Sequence, residues 1–315
     1  MNKLITSITV GFDFSDNARE AAKWAAAIAE RSANATKVTL VTAYPGHMPR
    51  EVRDDLEQLQ ASEEGAAREL IRQRMRDDVA EHGFTDEDAS YEVMDGVKSR
   101  WPFAALISAA NSLNSDLLIV GATGMGRLQR FLVGSTAERL VRKSKTPVLV
   151  VAQNQLPVER ILCPIDYSPV SLESLNWAVT MARLFEAELD VMHTVELAPG
   201  AEIDAPGRRH ISTDLRTELN RKAMTEAEQQ FADALEEFDF SGVSWHRVLR
   251  PGNPVHEILQ RTEELSYGLV CMGSLGLDHL QGMVIGNTAE RVLRSLPTSL
   301  LTVKPQEFEV DERFL

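Results

Sequence analysis

The sequence predicts two tandem α/β domains, each a five-stranded parallel, doubly wound (Rossmann-like) sheet with helices on both faces. Three observations carry that prediction. The chain is duplicated, apolar runs of strand length alternate with segments of helical period, and a glycine-rich turn leaves the fourth strand of each copy. The stretch Ile8-Thr9-Val10-Gly11-Phe12-Asp13-Phe14-Ser15 has its counterpart in Ile161-Leu162-Cys163-Pro164-Ile165-Asp166-Tyr167-Ser168, 153 positions later. Glu20 and Glu173, and Trp24 and Trp177, keep that spacing. Downstream, Gly121, Gly124, Gly134, Thr136, Glu138 and Arg139 recur after 152 positions. Of the 31 aligned positions from Gly121 to Val151, 13 are identical, where average residue usage gives about two. The polar, proline-bearing segment 152–159 separates the copies, so one domain is expected over 1–153 and the second over 154–315.

Within the first copy, residues 5–12 read as a strand and the Ala-rich segment 17–31 as a helix with Ser15 as its N-cap. The matching Ser168 is followed by Pro169, a first-turn proline. Residues 38–43 form the second strand, the charged segment 53–81 one long helix and 90–94 the third strand. A helix over 103–113, a strand over 116–120, a helix over 134–143 and a strand over 147–151 complete the copy. The second copy repeats the order, with a longer Gly/Pro-containing connection over 198–217. Open parallel sheets bind ligands beyond the carboxyl ends of their strands, where the strand order reverses. Asp13 ends the first strand and Gly121 the fourth, so adjacency of those strands brings both to one crevice.

Composition narrows the function. With 43% hydrophobic and 25% charged residues the 315-residue chain is an ordinary globular protein. No apolar stretch approaches the ~20 residues of a membrane span, and residues 1–10 hold no secretory signal core. The cytoplasm is the expected compartment, with no membrane partner. Thirty-three bases against 47 acids give a net charge of −14, which disfavours nucleic acid. Cys163 and Cys271 sit in apolar runs without a CxxC pattern and read as small buried hydrophobes. The seven histidines show no metal-ligand spacing, so no metal site is expected, and His193 ends an apolar run as a packing or capping residue.

The glycine turn carries the chemistry. Gly121-Ala122-Thr123-Gly124-Met125-Gly126 is followed, nine residues after Gly124, by Gly134-Ser135-Thr136 at a helix start. Glycines let a backbone approach a ligand, and a helix N-terminus with adjacent hydroxyls suits a phosphate. A plain strand-to-helix turn is the competing reading. Neither GxxxxGK[ST] nor a first-strand GxGxxG occurs.

The combination Gly-x2-Gly-x9-Gly-Ser beneath a strand-end Asp-x-Ser, whose three glycines and Asp-x-Ser recur in the second half, resembles the ATP-binding motif of the universal stress protein family. The resemblance implies strand order 3-2-1-4-5 and, in a subset of members, adenine-nucleotide binding. It implies Asp13 and the backbone near Val41 at the adenosine, Gly121 and Gly124 along the ribose and phosphates, and Gly134, Ser135 and Thr136 on phosphate oxygens. In the second copy Asp166, Gly273, Gly276, Gly286 and Thr288 correspond, while Asn287 departs from the expected Ser or Thr. The implied cofactor is ATP, with Mg²⁺ as its optional companion.

From Gly121 to Lys145 the first copy has six bases (Arg127, Arg130, Arg139, Arg142, Lys143, Lys145) and one acid, Glu138. The matching segment of the second balances Arg291 and Arg294 against Asp278 and Glu290. This contrast predicts tighter triphosphate binding in the first copy. The resemblance places the short, uncharged fifth strands at the sheet edges and implies an antiparallel junction there and an intramolecular pseudo-dimer. A further homodimer is left open. The expected function is a nucleotide-binding stress-response module, not an enzyme. A non-nucleotide ligand-binding or interaction scaffold and a slow ATPase are the alternatives.

Overall fold

Short β-branched runs buried on both faces, spaced by helices with one apolar face, build each half of the chain. A computed structural model describes residues 3–32, 35–44, 48–58, 64–81, 89–95, 101–123, 133–152, 156–197, 213–275, 285–295 and 297–305. The first half runs β1 (Ser7–Gly11), α1 (Asp16–Arg31), β2 (Lys37–Tyr44), α2 (Arg50–Gln58), α3 (Glu64–Ala80), β3 (Ala89–Asp95), α4 (Pro102–Ser112), β4 (Leu117–Gly121), α5 (Ser135–Lys143) and β5 (Val148–Val151). The second runs β6 (Arg160–Pro164), α6 (Pro169–Phe185), β7 (Glu188–Val195), α7 (Thr213–Leu235), β8 (Trp245–Pro251), α8 (Pro254–Leu265), β9 (Leu269–Gly273), α9 (Asn287–Ser295) and β10 (Ser299–Val303). The single helix expected over 53–81 is replaced by α2 and α3. Gly65, which would weaken a continuous helix by ~1 kcal/mol, instead occupies the first turn of α3.

The sheet order is β3-β2-β1-β4-β5-β10-β9-β6-β7-β8. Each half therefore has the order 3-2-1-4-5, parallel throughout, as the resemblance implies. Ile8 pairs with Leu117 and Val10 with Ile119, which sets β1 beside β4 at the point where the order reverses. The halves meet through β5 and β10, antiparallel, with Leu149 opposite Leu301. One face of this junction is apolar: Trp24 of α1 packs edge-on against Phe185 of α6, ring centroids 5.5 Å apart. The other is charged. Arg142 of α5 reaches Glu290 at 2.8 Å and Glu138 at 3.1 Å, and Arg294 of α9 reaches Glu138 at 3.1 Å and Glu290 at 3.0 Å. Lys304 lies nearby, only 6% exposed, its ammonium pKa pushed down to about 7 by burial and then by Arg142. Cys163 and Cys271 are buried free thiols on the paired strands β6 and β9, and burial raises the Cys163 pKa to about 12.

Candidate functional site

Strand β1 stops being extended at its carboxyl end for a local reason. The Phe12 N–H still donates to the Val41 carbonyl at 2.9 Å. Phe14 then turns left-handed, φ 62°, a conformation costing a bulky residue ~1 kcal/mol or more. Its ring is buried edge-on against Phe12, 5.3 Å between centroids, and that packing holds the turn. The turn folds Ser15 back so that its N–H and Oγ donate to Asp13 Oδ1 at 3.1 and 2.5 Å. Ser15 Oγ in turn accepts from Ala18 N–H at 3.2 Å and caps α1, as expected. The second half repeats the device. Tyr167 has φ 64°, Ser168 donates twice to Asp166 Oδ1 at 3.0 and 2.5 Å, and its hydroxyl caps α6.

Gly121 ends β4 against the first turn of α1. A Cβ there would lie 2.6 Å from the carbonyl carbon of Asn17 and 2.7 Å from its oxygen. The missing side chain therefore admits α1 rather than a ligand, though the Gly121 backbone still lines the cleft. Asn17 completes the joint by donating from Nδ2 to the Thr123 carbonyl at 2.8 Å and to Thr123 Oγ1. The Gly134 N–H donates to the Ala122 carbonyl at 2.6 Å, which brings the start of α5 back beside β4. No side chain caps that start, so first-turn N–H groups of α5 remain for a ligand.

These elements enclose a cavity of about 280 Å³ at the carboxyl ends of β1 and β4. Asp13, Val41, Gly121, Gly134, Ser135 and Thr136 all line it; Gly124 lies outside the described residues. Leu106, Val120 and Thr123 join them. A matching cavity of about 460 Å³ in the second half is lined by Asp166, Gly273, Gly286, Asn287 and Thr288, with Gly276 outside the described residues. Sequence reading missed Asn17 and Thr123, whose counterparts Val170 and Leu275 are buried and apolar, so this hydrogen-bonded tie is absent from the second half. His193 also lines the second cavity. Its Nδ1 lies 2.8 Å from the Ile165 carbonyl and so carries the proton, leaving Nε2 as an acceptor. Burial lowers its pKa, against the Ile165 bond and the Asp166 charge, while its ring packs 4.3 Å from that of Tyr167.

The expected excess of positive charge at the first cavity needs correction. Arg139 lies 4.5 Å from the centre of the Trp101 ring and 5.2 Å from that of Phe103, and Lys143 stands 5.2 Å from the Phe103 ring. Arg142 is engaged at the junction, and Arg127 and Arg130 lie outside the described residues. Among the described residues no cation lines this cavity. The second cavity is lined by Arg291, the counterpart of Arg139.

A sequence profile described as the universal stress protein family matches residues 5–152 and again 157–304. A universal stress protein of Methanocaldococcus jannaschii is 31% identical over 151 residues, 48% of this chain and 85% of that protein. One of Mycolicibacterium smegmatis is 28% identical over 208 residues, 64% of this chain and 65% of its own length. Among solved structures, a universal stress protein from Archaeoglobus fulgidus superposes with a TM-score of 0.59 at 18% identity, covering 95% of this chain and 98% of that one. A Pseudomonas aeruginosa protein reaches 0.63 at 18% identity, covering 96% and 94%. These structural likenesses establish the fold. Among the described residues no helix is long and apolar enough to cross a membrane, and no three His, Cys, Asp or Glu side chains gather as a metal site.

Proposed function

The chain belongs to the universal stress protein family through both halves, and from that premise we propose that it binds an adenine nucleotide, ATP above all, as a regulatory module. The observation that carries this reading is a convergence on one open cleft. Asp13 beyond β1, Thr123 beyond β4 and the uncapped start of α5 meet there. A strand-end carboxylate suits ribose hydroxyls, and helix-start N–H groups with the Ser135 and Thr136 hydroxyls suit phosphate oxygens. Val41, Leu106 and Val120 supply apolar walls for a base. The volume stands near the lower end of the ~300–1,000 Å³ common for small-molecule clefts. Mg²⁺ enters only as the companion of the triphosphate.

The second cavity is assigned the same class of ligand through Asp166, Gly286, Asn287 and Thr288. The module is read as non-catalytic. Asp13 is the one titratable group among the described residues lining the first cavity, so any turnover is expected well below ~10 s⁻¹. The β5–β10 pairing supports reading domains 1–153 and 154–315 as an intramolecular pair, and the cytoplasm is the compartment consistent with a free nucleotide pool.

Denaturing the purified chain and identifying the released small molecule by mass spectrometry tests the reading, together with calorimetric titration of ATP. Gly134 has φ −67° and ψ 151° at the N-cap of α5, a conformation that aspartate accepts as a capping residue. Gly134→Asp should therefore fold while placing a negative charge where phosphate would sit. No released nucleotide and no ATP heat in the wild-type chain would transfer the assignment to the scaffold alternative. Rapid hydrolysis, abolished by Asp13→Ala with binding retained, would make Asp13 a catalytic group.

A further inference from the structure

Arg139 and Arg291 occupy the same position in the two copies, yet only Arg291 lines a cavity. Both stand one helical turn after the residues that open α5 and α9. Arg291 follows Asn287 by four positions and Thr288 by three, so all three share one helix face. Side chains on a helix lean toward its N-terminus, which directs a guanidinium at this position back toward the helix start. In the first copy that lean is intercepted. Trp101 and Phe103, at the start of α4, offer two rings over which Arg139 is held half-buried. At the start of α8 the corresponding residues are Asn253 and Val255. Asn253 uses its side chain to cap α8, accepting from Val255 N–H at 3.1 Å and His256 N–H at 3.4 Å, and offers no ring. Arg291 is accordingly exposed. Among the described residues it forms no ion pair, although Asp166 and Glu196 line the same cavity.

We infer that Arg291 is the specificity-determining residue of the second cavity, making it prefer a phosphorylated ligand over its unphosphorylated form. The Trp101–Phe103 pair withholds the equivalent cation from the first cavity. The inference rests on the nucleotide reading for the identity of the base, but not for the anion, whose shared chemistry is that of any polyphosphate. It reverses the ranking that counting bases along the sequence suggests for this position.

The test uses the full-length chain with Gly134→Asp closing the first cavity, and compares ATP, adenosine and inorganic tripolyphosphate by calorimetry. Arg291→Gln should weaken ATP and tripolyphosphate by roughly 10–100-fold, the loss of one charge-assisted contact, while adenosine shifts by less than about twofold. Arg291→Lys should restore part of the ATP preference. In a Gly286→Asp background, Trp101→Asn gives α4 the cap that α8 already has and loosens Arg139. With the nearer of its two rings gone and only Phe103 at 5.2 Å left to hold Arg139, it should raise the ATP-to-adenosine preference of the first cavity in part. An unchanged ATP-to-adenosine ratio in Arg291→Gln, or equal losses for both ligands, overturns the inference while leaving nucleotide binding intact. If neither ATP nor adenosine binds, the nucleotide reading of the second cavity fails, and Arg291-dependent tripolyphosphate binding sustains the inference on its own. Absence of tripolyphosphate binding as well overturns both.

Discussion

Replacing Gly121 with alanine puts a methyl carbon 2.6 Å from the Asn17 carbonyl carbon and 2.7 Å from its oxygen. Optimal carbon contacts lie near ~3.5–4.0 Å, so the overlap approaches 1 Å. The atoms met are the Asn17 backbone and its Cβ, which no rotamer change can move. The start of α1 must shift away from β4, and overpacking of this kind costs roughly 1–3 kcal/mol; the backbone clash puts Gly121→Ala in the upper half of that range. The duplication provides its own control. At Gly273 the new methyl meets Val170 Cγ1 at 3.0 Å and Ser171 N at 3.3 Å, contacts that a few tenths of an ångström relieve. Gly273→Ala is expected to cost less than about 1 kcal/mol. Urea denaturation monitored by tryptophan fluorescence measures both, because Trp24 lies buried on α1 and Trp177 buried on α6. The same shift pulls Asn17 from Thr123, so ATP affinity at the first cavity should fall with stability. Equal costs at the two glycines, or a neutral Gly121→Ala that still loses ligand, would show that Gly121 is there for the ligand and that the packing argument is wrong.

Asn17→Ala, which removes the tie to Thr123 without crowding α1, should weaken ATP at the first cavity by a few-fold, the worth of a neutral hydrogen bond of ~0.5–1.5 kcal/mol. Calorimetry in the Gly286→Asp background checks it, and unchanged affinity would mean the loop holds its position without Asn17. Lys304 has a folded pKa of about 7 against an ordinary value of 10.5. Between those values the unfolded chain binds the extra proton, so stability should rise with pH across that window. Lys304→Met should flatten the rise and stabilise the chain at pH 7 by on the order of a few kcal/mol; denaturation at pH 7 and pH 9 decides, and a variant weaker at both would show Lys304 holding the junction together. Arg142→Ala leaves Glu138 and Glu290 facing each other with only the more exposed Arg294 between them, and should cost about 1 kcal/mol. The Glu138 carboxyl, opposed by burial but held below 4.5 by Arg294 and Arg142, contributes stability above that pH and loses it as pH falls through the lowered value. The Arg142→Ala cost should therefore shrink below pH 4.5, and a cost constant with pH would refute the charge account.

Strand order came from the family resemblance, whereas the alternation of elements, the Asp-x-Ser caps and the two clefts were legible because each depends on residues close in sequence or repeated in register. Asp13 and Ser15 find each other across a single left-handed residue, and the duplicated glycines mark the same turn twice. The break between α2 and α3 was less legible because charged, period-matched sequence continues on both sides of it. What escaped reading altogether depends on partners far along the chain. Gly121 is a packing glycine only because Asn17 lies against it. Arg139 is lost to its cavity only because Trp101 and Phe103 stand within reach. Counting bases along a segment treats each as free, and that assumption fails where an aromatic ring or a glutamate from the other half takes the charge. The two copies differ in sets rather than in single residues. Trp101, Phe103 and a captured arginine oppose Asn253, Val255 and a released one; Asn17 with Thr123 opposes Val170 with Leu275. Each set makes physical sense only as a whole. Exchanging one member, as in Trp101→Asn, should therefore carry the charge environment of one cavity toward that of the other without touching any residue that lines it.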